Sequence, residues 1–250
     1  MSAVFLAPPV VEPSIVSDTA QASAPASRVL LDEPGLVARG TGTLSVTFDM
    51  GSTAYDTVAA IRNNLPAAAT IRVRAASSAD MTSGVALDTT VQAWSGEAPT
   101  TKAISYIPLP AIYTERYVRV DLIAVGASLV EVSRIIIGKR IEVDGIDRGA
   151  TQTAVSGSQV DDGPGWTTVG EARTRKKWTA NVGNIARLPY YREWAPFLDR
   201  MGKHTGFLFI PQTASTGLQQ EAVLVRNADD PKVTDLSSER FQIEMSLFEV

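Results

Sequence analysis

The sequence contains no cysteine and a single histidine in 250 residues. The absence of cysteine excludes disulfide frameworks, thiolate zinc sites, iron–sulfur clusters and cysteine nucleophiles. His204 as a general base would need a nucleophile and an orienting group, and the sequence pattern shows neither, so we expect it to favour a helix dipole instead. The acidic pairs Asp144/Asp147 and Asp161/Asp162 match no calcium-binding loop and are typical of turns. We therefore expect no enzymatic activity, no metal site and no cofactor.

Long hydrophobic runs and an excess of positive charge are also missing. The longest mostly apolar run near the start, Val4 to Val11, is interrupted by Pro8 and Pro9 and has no basic segment before it. It is shorter than the roughly 18 residues of a membrane span and does not resemble a signal peptide. The net charge of −4 excludes a strongly basic nucleic-acid coat. We expect neither a membrane span nor a sequence-specific nucleic-acid partner.

What is present is typical of a globular chain, with 44% hydrophobic and 20% charged residues, enough for one or two cores. Residues 1–42 are rich in Ala, Ser, Pro and Val, and their prolines prevent a long helix. This composition predicts an extended arm, with a disordered tail as the alternative. Apolar pairs such as Val10-Val11 and Ile15-Val16 favour an arm that lies along another surface or adds an edge strand.

Residues 43–143 alternate between apolar and polar side chains over short segments. Leu44, Val46 and Phe48 begin the pattern, which later segments repeat between turn signals rich in Gly, Asn and Pro. A period of two indicates antiparallel strands with one face inward, and the segment has the length of one β-sandwich. We predict a jelly-roll-like β-sandwich here, followed by a Gly-, Ser- and Asp-rich linker at residues 144–165.

Residues 166–250 predict a second β-rich unit that contains one packed helix. The helical stripe comprises Tyr190, Trp194, Phe197, Leu198 and Met201, with Pro196 early in the helix and Gly202 as its stop. Strands are predicted around Trp178, at residues 207–210 and 222–225, and over the closing alternation from Phe241. The predicted fold class is thus mainly β, with an extended arm, a jelly-roll-like β-sandwich and a second β-sandwich that packs one helix.

Two groups of side chains are candidates for binding. The first is a basic stripe formed by Arg173, Arg175, Lys176 and Lys177, within a segment of net positive charge in a chain of net negative charge. The stripe is either a solvated face or a surface that meets an acidic partner or lines a channel. The second comprises Trp94 and Tyr106, which either fill a core or stack on a sugar.

The sandwich segment carries Phe48-Asp49-Met50-Gly51, Asn63-Asn64-Leu65-Pro66, Arg116-Tyr117-Val118-Arg119-Val120 and Ser133-Arg134-Ile135-Ile136-Ile137. In this pattern it resembles the discoidin, or galactose-binding-like, jelly rolls found in virion proteins. The resemblance implies a jelly-roll fold over about a hundred residues.

The last segment carries Trp178-Thr179-Ala180-Asn181-Val182, the helix from Trp194 to Met201, Phe207-Leu208-Phe209-Ile210 and the closing strand Arg240 to Val250. It resembles the tube-type domain of distal tail proteins, which are minor tail proteins of long-tailed bacteriophages and gene transfer agents. The resemblance implies a structural baseplate or tail-tip subunit. In that family a ring, commonly of six copies, joins the tail tube protein to the tip hub and other tail-tip proteins. It also implies a location in the virion, after assembly in the host cytoplasm.

Two alternatives remain at this point. A carbohydrate-binding adhesion module would use Trp94 and Tyr106 on a host surface glycan. A glycan-cleaving enzyme would need a pair of carboxylates in space, and no local signature indicates such a pair.

Overall fold

The structure of the chain is a computed structural model. It describes residues 2–33, 35–95, 98, 103–144, 151–156, 159–163, 166–170 and 174–250, and for residues 156, 159–163, 166–170 and 174 the backbone alone. The chain is mainly β, which confirms the predicted fold class. In the described ranges, no helix has the length and apolar character needed to cross a membrane.

The described residues in the first part of the chain form twelve strands: β1 (Ala3–Leu6), β2 (Ser14–Asp18), β3 (Ala38–Thr41), β4 (Thr43–Asp49), β5 (Tyr55–Asn63), β6 (Thr70–Ala76), β7 (Val85–Gln92), β8 (Ala103–Tyr113), β9 (Tyr117–Ile123), β10 (Leu129–Val132), β11 (Arg134–Gly138) and β12 (Arg140–Val143). A 3-10 helix at Ala26–Leu30 separates β2 from β3.

The later strands are β13 (Thr151–Ser156), β14 (Gln159–Gly163), β15 (Trp166–Gly170), β16 (Thr174–Ala186), β17 (Phe207–Ile210), β18 (Val223–Asn227), β19 (Lys232–Ser237) and β20 (Arg240–Glu249). Helical turns at α1 (Arg187–Pro189), a π-helical turn (Tyr190–Trp194) and α2 (Ala195–Met201) follow one another without a break, and α3 (Leu218–Glu221) is a single turn.

The chain forms two compact units, each built from two segments. Unit 1 comprises Met1–Glu142 and Phe207–Val223, and unit 2 comprises Val143–Gly206 and Leu224–Val250. The sequence predicts a linear division at residues 42, 143 and 165, and it does not anticipate that residues 207–223 return to unit 1. Residues 207–223 belong to unit 1 because β17 pairs antiparallel with β1, with Phe209 opposite Phe5.

Unit 1 is a β-sandwich whose two sheets enclose one core. The larger sheet has the order β10-β3-β4-β9-β6-β7, with β2 added beside β4, and the smaller has the order β11-β5-β8. Val46, Phe48 and Val120 from the first sheet and Val58 and Ile137 from the second belong to the same buried cluster. The alternation in residues 43–143 therefore produces the sandwich that it predicts.

The segment predicted as an extended arm is folded onto unit 1. Residues Ala3 to Leu6 are fully buried, and β2 pairs with β4. Arg134 is 4% exposed and forms an ion pair with Asp32, which fastens the residues before β3 to the start of β11. Val4, Phe5 and Leu6 are thus buried on the chain's own unit, whereas Val10 and Val11 remain exposed, at 77% and 72%. Unit 1 itself supplies part of the surface along which the predicted extended arm lies, and β2 adds a strand beside β4.

Unit 2 contains a sheet in which β16 pairs antiparallel with β20 on one side and with β13 on the other. Trp178, Ala180 and Val182 of β16 are buried, and so are Ile243 and Met245 of β20, so one face of the sheet forms a core.

The interval 144–165, predicted as a linker, contains β13 and β14. Thr151, Thr153 and Val155 are β-branched, and this favours a strand where the overall composition indicates a loop.

The predicted helix is confirmed, and it begins earlier than expected. Trp194, Phe197 and Met201 are buried on one face, Pro196 lies in the first turn of α2, and Gly202 ends the helix at a φ of 43°. That positive φ suits glycine because it has no Cβ.

Candidate functional sites

A cavity of about 330 Å³ opens in unit 1. Its lining combines an aromatic ring, two aliphatic groups, two hydroxyls and two opposite charges: Tyr106, Pro108, Leu218, Ser95, Thr213, Arg140 and Glu142. Pockets that bind small molecules are generally apolar with a few convergent polar groups, and this cavity lies at the small end of their size range.

Strand alternation positions four of these side chains. On β8, Ile107 and Leu109 belong to the sandwich core, so Tyr106 and Pro108 point away from it. Proline is tolerated because β8 ends its sheet and needs no partner on its outer side. On β12, Ile141 is buried, and Arg140 and Glu142 share the opposite face.

Arg140 is held firmly at the edge of the cavity. Its Nη1 donates to the carbonyl oxygen of Asp56 at 3.1 Å and to Thr57 Oγ1 at 3.2 Å, and its backbone N–H donates to Asp56 Oδ1 at 2.9 Å. Its Nε lies 3.5 Å from Glu142 Oε2. Nη2 has no partner in the described ranges, so one arm of the guanidinium is available to a ligand.

Tyr106 is half-buried, and burial raises the pKa of its phenol to about 12. The hydroxyl therefore stays protonated at neutral pH and remains a hydrogen-bond donor as well as an acceptor. No hydrogen bond to it is seen in the described part of unit 1. The structure thus brings the sequence-predicted Tyr106 to a cavity, beside the charged pair Arg140 and Glu142 that sequence reasoning missed.

A buried amide lies behind the wall of the cavity. Gln219 is 2% exposed, and its Nε2 donates to Ser95 Oγ at 2.8 Å, while Ser95 itself lines the cavity. Its Oε1 is buried and meets no donor in the described residues. A buried amide oxygen without a donor costs about 1–3 kcal/mol, so its retention needs an explanation.

Trp94 lies elsewhere, in the core of the sandwich. It is 6% exposed, and its Nε1 donates to the backbone carbonyls of Leu65 and Pro66 at 3.2 and 3.3 Å. A tryptophan whose faces are packed and whose N–H is satisfied offers no ring to a sugar. Of the two residues predicted for glycan contact, Tyr106 lies at the cavity described above and Trp94 lies in the core.

The predicted basic stripe is divided between the two faces of β16. Arg175 and Lys177 point to the polar face of the strand, whereas Lys176 points to the other face. The backbone N–H of Lys176 donates to Glu249 Oε2 at 2.9 Å. Arg173 lies outside the described residues. The stripe is divided because consecutive side chains of a strand point to opposite faces, which separates neighbours in a run of charged residues.

On the polar face of unit 2, Arg226 joins Arg175 and Lys177 in place of Lys176. Phe248 lies opposite Lys177 on one side and opposite Arg226 on the other, and the Arg175 guanidinium lies 5.7 Å from its ring centroid. In the described part of the chain no carboxylate pairs with these three cations. Sequence reasoning missed Arg226 because it is distant in the chain, and register alone brings it to the patch. We call Arg175, Lys177, Arg226 and Phe248 the cationic patch.

β13 forms an edge of the unit 2 sheet. It pairs with β16, and no described strand pairs with its other side. Residues Thr151 to Ala154 are exposed. The strand contains no lysine or proline and no bulge in its pairing. In its described residues β13 therefore lacks three of the usual features that prevent another strand from adding to an edge: a lysine, a proline and a bulge.

His204 is exposed just after the helix ends, and the described ranges contain no group of three His, Asp or Glu that would hold a metal ion. Asp144 is exposed. Asp147 and the side chains of Asp161 and Asp162 lie outside the described residues.

No protein-family model matches the sequence, and no curated protein matches it. Three solved carbohydrate-binding modules are similar in structure to half of the chain. They are the CBM32 of AlyQ in complex with 4,5-unsaturated mannuronic acid (18% identity, 50% of this chain and 95% of that one, TM-score 0.37), CpGH89CBM32-6 produced by Clostridium perfringens (15%, 50% and 92%, 0.37), and chitosan-binding module 1 from the chitosanase/glucanase of Paenibacillus sp. IK-5 (16%, 50% and 92%, 0.35).

Proposed function

We propose that this chain is a structural subunit of a phage-like tail tip, in which unit 2 associates with further copies to form a ring between the tail tube and the tip hub. The observation that carries the proposal is the free edge of β13. The proposal also draws on the resemblance of residues 178–250 to tube-type tail domains.

An exposed edge strand presents a row of unpaired N–H and C=O groups, which bind an added strand through backbone hydrogen bonds. On β13 this row is flanked by small and β-branched side chains such as Thr151, Thr153 and Ala154, none of which would obstruct a neighbour. A ring needs a heterologous contact, in which one surface of each copy meets a different surface of the next. β13 supplies one half of such a contact.

The cationic patch gives a second surface for assembly. Arg175, Lys177 and Arg226 carry three positive charges on one face of a chain whose net charge is −4. Complementary charge accelerates encounter and fixes the orientation of partners. We infer that an acidic surface of a neighbouring tail-tip protein covers this patch.

The test is the mass of the full chain in solution, measured by light scattering after size exclusion, with negative-stain images of the chain alone and mixed with candidate tube and hub proteins. We expect closed rings with a central hole. Proline removes a backbone N–H, and the N–H groups of consecutive strand residues point to opposite sides of the strand. Of the two variants Gln152→Pro and Thr153→Pro, one therefore removes a donor on the free side of β13, and the other removes a donor on the side that faces β16.

We expect the outward variant to retain the melting temperature of the native chain and lose the ring. Thr153→Val, which keeps the amide and the β-branched shape, serves as the matched control and should assemble normally. A chain that stays monomeric with every partner contradicts the proposal, and so does a ring that tolerates both proline variants.

Sugar binding by unit 1 is a second candidate function, and the observation that favours it is the position of Tyr106 at the cavity. An aromatic ring beside hydroxyls and a charged pair provides both an apolar surface and hydrogen-bonding groups for a carbohydrate. The two functions are compatible, because assembly uses unit 2 and sugar binding uses unit 1. Retention of the full chain on immobilised glycans tests the second.

A further inference from the structure

We propose that the cavity formed by Tyr106, Pro108, Arg140, Glu142 and Leu218 binds one neutral sugar residue, free or at the end of a glycan, with Arg140 and Glu142 as the groups that select hydroxyls over charged substituents. This inference rests on the second candidate function and assigns it a site and a ligand class.

The size of the cavity sets the first limit. Small-molecule pockets generally range from about 300 to 1,000 Å³, and a cavity of about 330 Å³ lies at the lower end. A ligand of hexose size fills it, whereas a longer oligosaccharide must extend into solvent. The cavity therefore recognises a terminal or single residue of a glycan.

The chemistry of the walls sets the second limit. Tyr106, Pro108 and Leu218 offer apolar surface to the C–H face of a ring, while Ser95 and Thr213 carry hydroxyl groups. Sugars are amphipathic in this same way, with C–H groups on their faces and hydroxyls around their edges. A purely apolar ligand would leave the charges of Arg140 and Glu142 desolvated without compensation.

The charges set the third limit. The Arg140 Nε lies 3.5 Å from Glu142 Oε2, so the two side chains cancel one another and the cavity has no net charge. An ionic ligand would gain from one of them and be repelled by the other. A hydroxyl, by contrast, donates to the Glu142 carboxylate and accepts from Arg140 Nη2 at the same time, and both are charge-assisted hydrogen bonds.

Gln219 provides an independent indication that a polar molecule belongs at this place. It is 2% exposed, and its Nε2 donates to Ser95 Oγ at 2.8 Å, which orients the Ser95 hydroxyl at the cavity wall. A hydroxyl-rich occupant that bonds to the Ser95 hydroxyl would extend this hydrogen bond into the cavity. Cooperative chains of this kind favour full occupancy of their donors and acceptors.

The experiment measures binding of single sugars to the full chain by saturation-transfer NMR and titration calorimetry. The neutral probes are glucose, galactose, mannose and N-acetylglucosamine, and the charged probes are glucuronate and glucosamine. We expect saturable binding of at least one neutral sugar, with the charged relatives at least tenfold weaker.

Variants locate the site. Tyr106→Ala should weaken binding at least tenfold, Glu142→Gln should weaken it severalfold, and Tyr106→Phe should retain most of it because the ring remains. Tyr117→Ala and Glu115→Gln change matched residues outside the cavity and should leave affinity unchanged. Circular dichroism of each variant verifies that it is folded.

The failures are distinguishable. If the native chain binds none of the six sugars, the assigned site is wrong, and retention on immobilised glycans decides separately whether the sugar-binding function stands. If it binds a sugar and neither Tyr106→Ala nor Glu142→Gln alters affinity, sugar binding stands and this cavity is not the site. Equal or tighter binding of a charged sugar overturns the assigned ligand class.

Discussion

At the scale of single residues, the most consequential charge in unit 1 is Asp121 on β9. It is 4% exposed, receives hydrogen bonds from Arg74 Nη2 at 2.8 Å and Arg119 Nε at 2.7 Å, and lies beside Ser45. Burial by itself raises the pKa of this carboxyl, but the hydrogen bonds from Ser45, Arg119 and Arg74 outweigh burial and lower it. Asp121 therefore stays ionised and forms ion pairs with both arginines.

We predict that Asp121→Asn destabilises the chain by about 2 kcal/mol, because it leaves two partly buried guanidinium groups without a counter-charge. The lowered pKa means that Asp121 contributes stability above its unfolded pKa of about 3.9, and that this contribution is lost as the pH falls through the lower folded value. Urea unfolding at several pH values measures both effects. The difference between native chain and variant should shrink in acid, and a constant difference would contradict the argument.

Asp88 provides the matched control for this prediction. It pairs with Arg72 on the same sheet, but both side chains remain more than a third exposed, at 43% and 38%. Solvent screens such a pair, so Asp88→Asn should change stability by less than about 1 kcal/mol. If Asp121→Asn and Asp88→Asn lowered stability equally, the burial of the ion pair would not determine how much it contributes.

At the scale of elements, the close approach of β11 to the residue after β1 depends on a glycine. A Cβ at Gly138 would collide with the backbone carbonyl oxygen of Ala7, and backbone cannot move aside as a flexible side chain can. We predict that Gly138→Ala costs roughly 1–3 kcal/mol by overpacking. Gly35→Ala, whose Cβ meets nothing within 4 Å, should be nearly neutral. Thermal unfolding of the two variants checks the contrast.

Elements were predictable from sequence wherever one physical pattern dominates. Leu44, Val46 and Phe48 alternate as the core of a sandwich requires, and the stripe from Trp194 to Met201 has helical spacing. The polar partners Ser45 and Thr47 are nevertheless buried, at 4% and 1%, and Ser45 accepts a hydrogen bond from Arg119 on the neighbouring strand. A local pattern gives no information about a network that joins residues 74 positions apart.

The candidate sites illustrate the same limit. Tyr106 was recognisable as an aromatic that could meet a ligand, but its partners Arg140 and Glu142 come from another strand, and the cationic patch needs Arg226 from a third segment of unit 2. A run of charged residues is visible in the sequence, but alternation along a strand points neighbouring side chains of the run to opposite faces. The register between strands then places charged residues from distant segments side by side. Composition likewise indicated a linker at β13, since its β-branched residues are few among many glycines and aspartates.

At the scale of the whole molecule, unit 1 needs the first residues of the chain to complete it. β1 contributes Val4, Phe5 and Leu6, all fully buried, and the Phe5 ring lies 5.1 Å from that of Phe209 on β17. These contacts join the two segments of unit 1, which are separated by the residues of unit 2. The start of the chain is therefore part of a core and not an attachment to it.

We predict that deleting residues 2–7 greatly lowers the midpoint of urea unfolding, because it removes one strand of the β1–β17 pair and exposes the aromatic rings beside it. Phe5→Ala should cost roughly 3–5 kcal/mol, as expected for a buried phenylalanine, whereas Val10→Ala should be nearly neutral because Val10 is 77% exposed. A truncated chain that unfolds at the native midpoint would contradict this prediction and leave β1 as an extended arm that lies along another surface. In that case a neighbouring subunit, and not β17, would bury the apolar residues of β1.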